Sequence, residues 1–363
     1  LKRIITGALA LSMGSALAGN VMPEMTRDGK TKNDNLGVAW SMRKAAVISY
    51  DTLTTDNETT TSGTTTTTGE NKTTGLNPYL FFNHGAISAE LSYDIDKVEF
   101  TANAGGTNND DDTNTIDLDA AYRINNMFAA TLGYRSSKNE DQDAGSAADE
   151  LNTNDLTFGF SYNHGNGLIA GVSYSLSSTE TGTTTLRDVD YNVISLGVGY
   201  QNWNNKDGYS VEAFYQTRGK EEGDLISGSR NSVGDMTNLE LQGTYAMGSW
   251  ELDANFGKSS TETFSGLTEI KATTFGFDFE YMINANIYVT PGYATVKTET
   301  ETTGQTFTPE TTVSTISLEA GYRTSMWDAT LDLASIKNEN ISSSTTTTDN
   351  DGMRIGVNFG YFF

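Results

Sequence analysis

The last twelve residues, Gly352 to Phe363, limit most sharply what this chain can become. Every second residue from Met353 is apolar: Met353, Ile355, Val357, Phe359, Tyr361 and Phe363. Between them stand Arg354, Gly356, Asn358, Gly360 and Phe362, mostly small or polar. Successive side chains of a strand point to opposite faces, so this is a strand with one apolar face. Chain ends fray in soluble domains, which makes an apolar stripe there costly in water. A strand with lipid on one side and water on the other requires the pattern.

The same alternation recurs upstream. Ile87–Tyr93, Ile116–Tyr122, Leu156–Tyr162, Ile194–Tyr200, Leu239–Tyr245, Phe275–Tyr281 and Ile316–Tyr322 each place apolar residues at every second position and close on tyrosine. A short polar stretch follows each: Asp94–Lys97, Arg123–Asn126, Asn163–Gly167, Gln201–Gly208, Ala246–Ser249, Met282–Asn286 and Arg323–Ser325. A second alternating series then begins, at Val98, Phe128, Leu168, Tyr209, Trp250, Ile287 and Trp327. The unit repeats about every 40 residues, a supersecondary repeat. The opposite ends carry long polar segments, among them Asp51–Gly75, Ser136–Asn152, Gly219–Asp235, Thr298–Thr311 and Lys337–Asp351.

Seven short turns imply fourteen strands. An opening strand over Val38–Tyr50 and the terminal one bring the expectation to sixteen, with fourteen and eighteen as the neighbouring counts. Short turns on one side and long loops on the other characterise an outer-membrane barrel with periplasmic turns. A tyrosine at each turn places amphipathic rings at one interface. The fold class expected is all-β, a transmembrane antiparallel up-and-down barrel over residues 19–363. A soluble sandwich or propeller also alternates, but it does not require a terminal apolar stripe together with a tyrosine at every short turn.

Residues 1–18 read as a Sec-type signal peptide. Lys2 and Arg3 precede an apolar run that ends Ala16-Leu17-Ala18, an A-x-A cleavage pattern. The chain has no cysteine, which excludes a disulfide scaffold and a thiolate metal site. A net charge of −24 argues against nucleic acid as a partner.

If the apolar faces meet lipid, the intervening positions line the lumen. They carry thirteen carboxylates: Glu90, Glu99, Asp117, Asp119, Glu212, Glu240, Glu251, Asp253, Asp278, Glu280, Glu319, Asp328 and Asp332. Four arginines stand against them: Arg43, Arg123, Arg135 and Arg354. Charges of one sign cannot be buried dry at this density, so the lumen must hold water. A barrel of about sixteen strands is wide enough for an aqueous channel.

The terminal stripe, with Phe363, Tyr361, Phe359, Val357 and Ile355 in place, resembles the assembly signal of Gram-negative outer-membrane β-barrels. Over the whole mature chain the architecture resembles the general porin superfamily. That resemblance implies a third long loop folded into the barrel, its carboxylates facing a basic cluster across a constriction. The carboxylates would be Glu140, Asp141, Asp143, Asp149 and Glu150; Arg43 and Arg354, on the first and last strands, are the counterparts of the basic cluster. The family's Pro-Glu-Phe-Gly-Gly-type turn is absent from that loop, and a solvated acidic surface loop is the competing reading. The implied partners are outer-membrane lipid, the barrel-assembly machinery, which would read Tyr361 and Phe363, and small hydrophilic solutes and cations; a homotrimer is admitted. No cofactor and no metal are expected. Asp110–Asp112 reads as an acidic run at a loop tip, and Thr59–Thr68 and Thr345–Thr348 as surface loop. With only two histidines, His84 and His164, read as lying at opposite ends, no catalytic constellation and no enzyme are expected.

Three functions remain open at this level. A passive, weakly cation-selective diffusion porin leads. A substrate-specific channel would need an ordered internal track, and only Phe214 and Tyr288 stand out as inward aromatics. A non-channel barrel would serve as a receptor, adhesin or structural protein.

Overall fold

The computed structural model describes residues 45–61, 64–102, 109–143, 149–164, 167–181, 186–204, 207–219, 221–225, 230–233, 236–262, 268–305, 307–343 and 346–362. The expected signal peptide, the opening part of the first strand, Arg43 and Phe363 lie outside the described residues.

The described residues form strands and no helix. In chain order these are β1 (Ala45–Thr61), β2 (Thr64–His84), β3 (Ile87–Ala102), β4 (Asn109–Arg123), β5 (Phe128–Asp143), β6 (Asp149–Asn163), β7 (Leu168–Thr181), β8 (Leu186–Asn204) and β9 (Asp207–Arg218). They continue with β10 (Glu221–Leu225), β11 (Arg230–Val233), β12 (Met236–Met247), β13 (Trp250–Glu262), β14 (Thr268–Met282), β15 (Ile287–Thr302), β16 (Glu310–Arg323), β17 (Trp327–Ser343) and β18 (Thr346–Phe362). β1 to β9 and β12 to β18 each pair antiparallel with the next strand, β9 pairs with β12, and β18 pairs with β1 from Ala45–Phe362 to Thr61–Thr346. The result is a closed antiparallel barrel of sixteen strands. β10 and β11 stand apart as a small hairpin, and β10 adds to β8 above the point where β9 ends.

The wall is formed by one rule. Outward positions are apolar and exposed, as with Leu118 and Tyr122 on β4 or Ile355, Val357 and Phe359 on β18. Inward positions between them are buried and mostly polar, as with Asp119 on β4 and Arg354 on β18. The lipid side thus takes the apolar face and the lumen the polar one.

Short connections gather at one end. Gly85 and Gly248, with φ of 64° and 63°, open two-residue turns, the left-handed geometry that hairpins of this length demand. Elsewhere side chains build the turn: Asn125 Oδ1 accepts from the backbone amides of Met127 and Phe128 at 2.8 and 2.9 Å. At this end an aromatic girdle is continuous over several strands. Tyr245 meets Trp250 at 5.4 Å, Trp250 meets Phe279 at 6.0 Å, and Tyr322 meets Trp327 at 5.0 Å between centroids.

The structure corrects the strand assignment near the start. β3 runs unbroken through Asp94–Lys97, so there is no turn there. β2 was hidden in what read as the long segment Asp51–Gly75, and the true turn is Gly85-Ala86. Counting β3 twice and missing β2 cancel, which is why the total of sixteen holds. Tyr93 therefore does not belong to the turn-end girdle. It stands six residues beyond Ile87, as Tyr134, Tyr174 and Tyr293 stand six beyond the starts of β5, β7 and β15, and these outline a second girdle. The Tyr93 and Tyr134 hydroxyls donate to Asn114 and Asn154 at 3.3 and 3.2 Å, as suits rings between lipid and water.

The long segments are largely wall. β1 and β2 stay paired up to Thr61–Thr64, so most of the Thr59–Thr68 tract is hairpin ladder rather than loose loop. Thr346–Thr348 pair in β18 likewise. Asp110–Asp112 sit within β4, laddered to β3 and β5, and not at a loop tip. His84 and His164 both lie at the short-turn end, not at opposite ends.

Candidate functional site: the lumen wall

Most of the acids expected in the lining share the inward phase of their strands. Glu90, Asp119, Glu212, Asp278, Asp328 and Asp332 are buried on the inner side, and Asp117, Glu240, Glu251, Asp253, Glu280 and Glu319 share its phase. Glu99 does not. With no turn at Asp94–Lys97 the phase of β3 never resets, so Glu99 faces outward beside Lys97, 2.9 Å away. That hydrogen bond holds the Glu99 carboxyl below its ordinary value.

The five acids of the third long segment do not cross the lumen in their described part. Glu140, Asp141 and Asp143 continue β5, and Asp149 and Glu150 begin β6. Glu140 lies opposite Glu150 and Asp141 opposite Asp149, while β4 ladders on the other side through Asp112–Glu140 and Asn109–Asp143. The wall holds Glu140 and Asp141 on both sides and Asp143, Asp149 and Glu150 on one. Glu140 pairs with Lys138 on the outer face.

The bases divide by type. Among the described side chains, Arg123, Arg135, Arg218, Arg323 and Arg354 share the inward phase, whereas Lys72, Lys97, Lys138, Lys258, Lys271, Lys297 and Lys337 face outward. Lys271 bonds Glu301 at 2.8 Å and Lys297 bonds Glu310 at 2.9 Å, and these bonds raise both lysines above their ordinary value. Inside, each guanidinium can satisfy more than one carboxylate because its donors form a fixed fork. Arg323 donates to Glu280 at 3.3 and 3.2 Å and to Asp328 at 3.1 Å. Arg354 donates to Asp332 at 2.6 Å; only 6% and 1% of these two residues is exposed. Arg135 is flanked in register by Asp117 and Asp155. Arg218 and Arg323 were absent from the arginines assigned to the lumen by sequence. Arg218 stands at the end of β9, where the apolar series had run out, and Arg323 read as part of a turn.

Register reveals an arrangement that sequence spacing could not. Glu251 lies opposite Glu280, and the Asp278–Gly292 and Tyr281–Val289 pairs bracket Glu280 and Thr290. Thr290 lies opposite Glu319, Glu319 opposite Asp332, Asp332 opposite Gly356, Gly356 opposite Asp51, Asp51 opposite Gly75, and Gly75 opposite Asp96. One row of pairing from β13 round to β3 thus carries Glu251, Glu280, Glu319, Asp332, Asp51 and Asp96. The glycines keep it close. A Cβ on Gly75 would lie 2.7 Å from Asp51 Oδ1 and 3.0 Å from Asp96 Oδ1.

Such a row is perpendicular to the strands, and the strands of a membrane barrel are tilted by about 35–45°. With strands about 4.8 Å apart, each step climbs about 3 Å along the barrel axis. Eight steps climb about 25 Å, the height of the apolar band. The row is therefore a ramp. It starts at Glu251, next to the Gly248-Ser249 turn, and ends at Asp96, nine residues beyond the start of β3.

Away from the ramp the wall is hydroxyl-rich. Thr157, Ser161, Ser173, Ser175, Ser177 and Ser195 on β6–β8 are buried, and Thr157 bonds Ser175 at 2.8 Å. Inward aromatics exceed the two expected: Tyr79, Phe81 and Tyr191 join Phe214 and Tyr288. Among the described residues no group of three acids or histidines is placed to hold a metal ion.

A family model described as Gram-negative porin matches residues 163–363. A second, described as type IX secretion system membrane protein PorP/SprF, matches residues 24–189. No curated protein matches the chain. Among solved structures, the deltaS2 mutant of the TodX monoaromatic hydrocarbon channel aligns with a TM-score of 0.51 at 10% identity, covering 95% of this chain and 96% of that one. OpdQ of Pseudomonas aeruginosa aligns with a TM-score of 0.47 at 10% identity, covering 88% and 99%. At such identity the first likeness is one of fold.

Proposed function

The chain belongs to the Gram-negative porin family and resides in the outer membrane of a Gram-negative bacterium, and on that premise we propose that it is a passive diffusion pore for small hydrophilic solutes with a modest preference for cations. The observation that carries this reading is the acidic ramp. Six carboxylates follow one another from the periplasmic to the outer end of the wall, with Arg323 and Arg354 beside them. Carboxylate rings and rows lining a low-dielectric wall raise the local concentration of cations. The Debye length of about 10 Å at 0.1 M salt leaves the centre of a wide pore partly screened, so the preference is modest. Tyr361 and the terminal Phe363 serve assembly.

The inward aromatics favour a second reading, a channel with affinity for particular solutes. Swelling of proteoliposomes in solutes of increasing concentration separates the two. A diffusion pore gives rates that rise linearly with concentration. Saturation by one solute class would favour the second reading, and no swelling with any solute would exclude both.

A further inference from the structure

Tyr288 is buried on the inward face of β15, only 1% exposed, and it is the bulkiest of the fully buried side chains. Directly opposite it on β16 is Gly321. A methyl group at Gly321 would overlap the Tyr288 ring at Cζ, Cε1 and the hydroxyl oxygen. The ring therefore lies flat in the space the missing side chain leaves, the aromatic cover of a strand glycine. Over the ring is Arg323, the guanidinium carbon 4.3 Å from the ring centroid, a cation–π stack. Arg323 is itself fixed by two bonds to Glu280 and one to Asp328. The Tyr288 hydroxyl donates to Asp328 Oδ1 at 3.2 Å. Wall, guanidinium and carboxylate thus hold the ring from three directions.

The place matters. Tyr288 is the second residue of β15, one step above the Ile283–Asn286 turn, so it stands at the periplasmic mouth. The next inward residues on its strand are Thr290, Gly292 and Ala294. No other bulky group shares this stretch of β15 wall, so the position of one ring decides how far the wall projects. An inward side chain on a strand has two courses, along the wall or into the lumen. We infer that Tyr288 sets the size limit for solutes at the periplasmic mouth, with Gly321 as the recess and Arg323 as the clamp that keep it in its wide setting. The inference rests on the pore reading above.

Single-channel conductance and the exclusion of neutral polyethylene glycols of graded size test it, since neutral probes do not respond to the wall charge. Gly321→Ala closes the recess. It is expected to lower conductance and to exclude smaller polymers than the unmodified protein does, while Gly321→Ala/Tyr288→Ala restores both. Arg323→Gln removes the clamp without adding an atom to the wall and is expected to move polymer exclusion, which does not respond to wall charge, in the same direction as Gly321→Ala. Heat-modifiable migration verifies that each variant is a folded barrel. Unchanged exclusion in Gly321→Ala and Arg323→Gln, or a double variant that stays narrow, overturns the inference and leaves the pore reading intact. An unmodified protein that does not conduct overturns both.

Discussion

Glu251, Glu319 and Asp51 lie three steps apart on the ramp, so replacing them with Gln, Gln and Asn removes charge at three heights about 9 Å apart. A carboxylate about 6 Å from a permeating ion in water contributes about 0.7 kcal/mol. Screening at 0.1 M salt lowers this to about 0.4 kcal/mol. That is about twofold in local cation concentration, and about twofold the other way for anions. The spacing is close to one Debye length, so an ion feels about one of the three at a time. The cation-to-anion permeability ratio should then fall about fourfold rather than by the product of three effects. The assay is the reversal potential across a KCl gradient in a planar bilayer. At 1 M salt, where the Debye length is about 3 Å, the difference from the unmodified protein should nearly vanish. The control is Glu99→Gln/Glu140→Gln/Glu269→Gln, which removes the same charge from the outward face. An unchanged ratio in the ramp variant, or an equal change in the control, would refute the ramp as the source of selectivity.

Neutralising Glu140 alone should leave the reversal potential close to that of the unmodified protein, because Glu140 faces outward beside Lys138; a large loss of cation preference would mean that the segment enters the lumen. Deleting Phe363 should reduce the amount of heat-modifiable barrel in the outer membrane, read on an unheated gel, more than it lowers the stability of the barrels that do form. A protease site inserted within Thr59–Thr68 or Ser343–Asn350 should be cleaved on intact cells, and one within Asn204–Lys206 should be cleaved only after the outer membrane is opened; the reverse pattern would invert the topology.

The membrane-spanning part of this fold was legible because lipid and water impose opposite demands on successive residues. Ile116, Leu118 and Tyr122 announce β4 without reference to any other strand. Above the apolar band that demand disappears, since both faces of the wall are wet. Thr64–Gly75 therefore carries no alternation, and β2 could not be seen there. For the same reason Asp94-Ile95-Asp96-Lys97 looked like a turn, although pairing to β2 and β4 keeps it extended. The lining followed from phase alone, and Glu99 was misplaced only because the phase was reset at a turn that does not exist. The ramp and the Tyr288 recess were not legible. Both depend on which residue of one strand faces which residue of the next. Nothing in the chain order of Glu319 and Asp332, or of Tyr288 and Gly321, states that relation.

The closed sixteen-strand wall is proposed to surround a water-filled pore whose acidic row favours cations. The reversal potential of the purified, unmodified protein in a planar bilayer under a KCl gradient tests it most directly. Ohmic single-channel steps are expected, with a reversal potential of the sign set by potassium that shrinks as salt rises. Absence of conductance, or a reversal potential set by chloride, would contradict it.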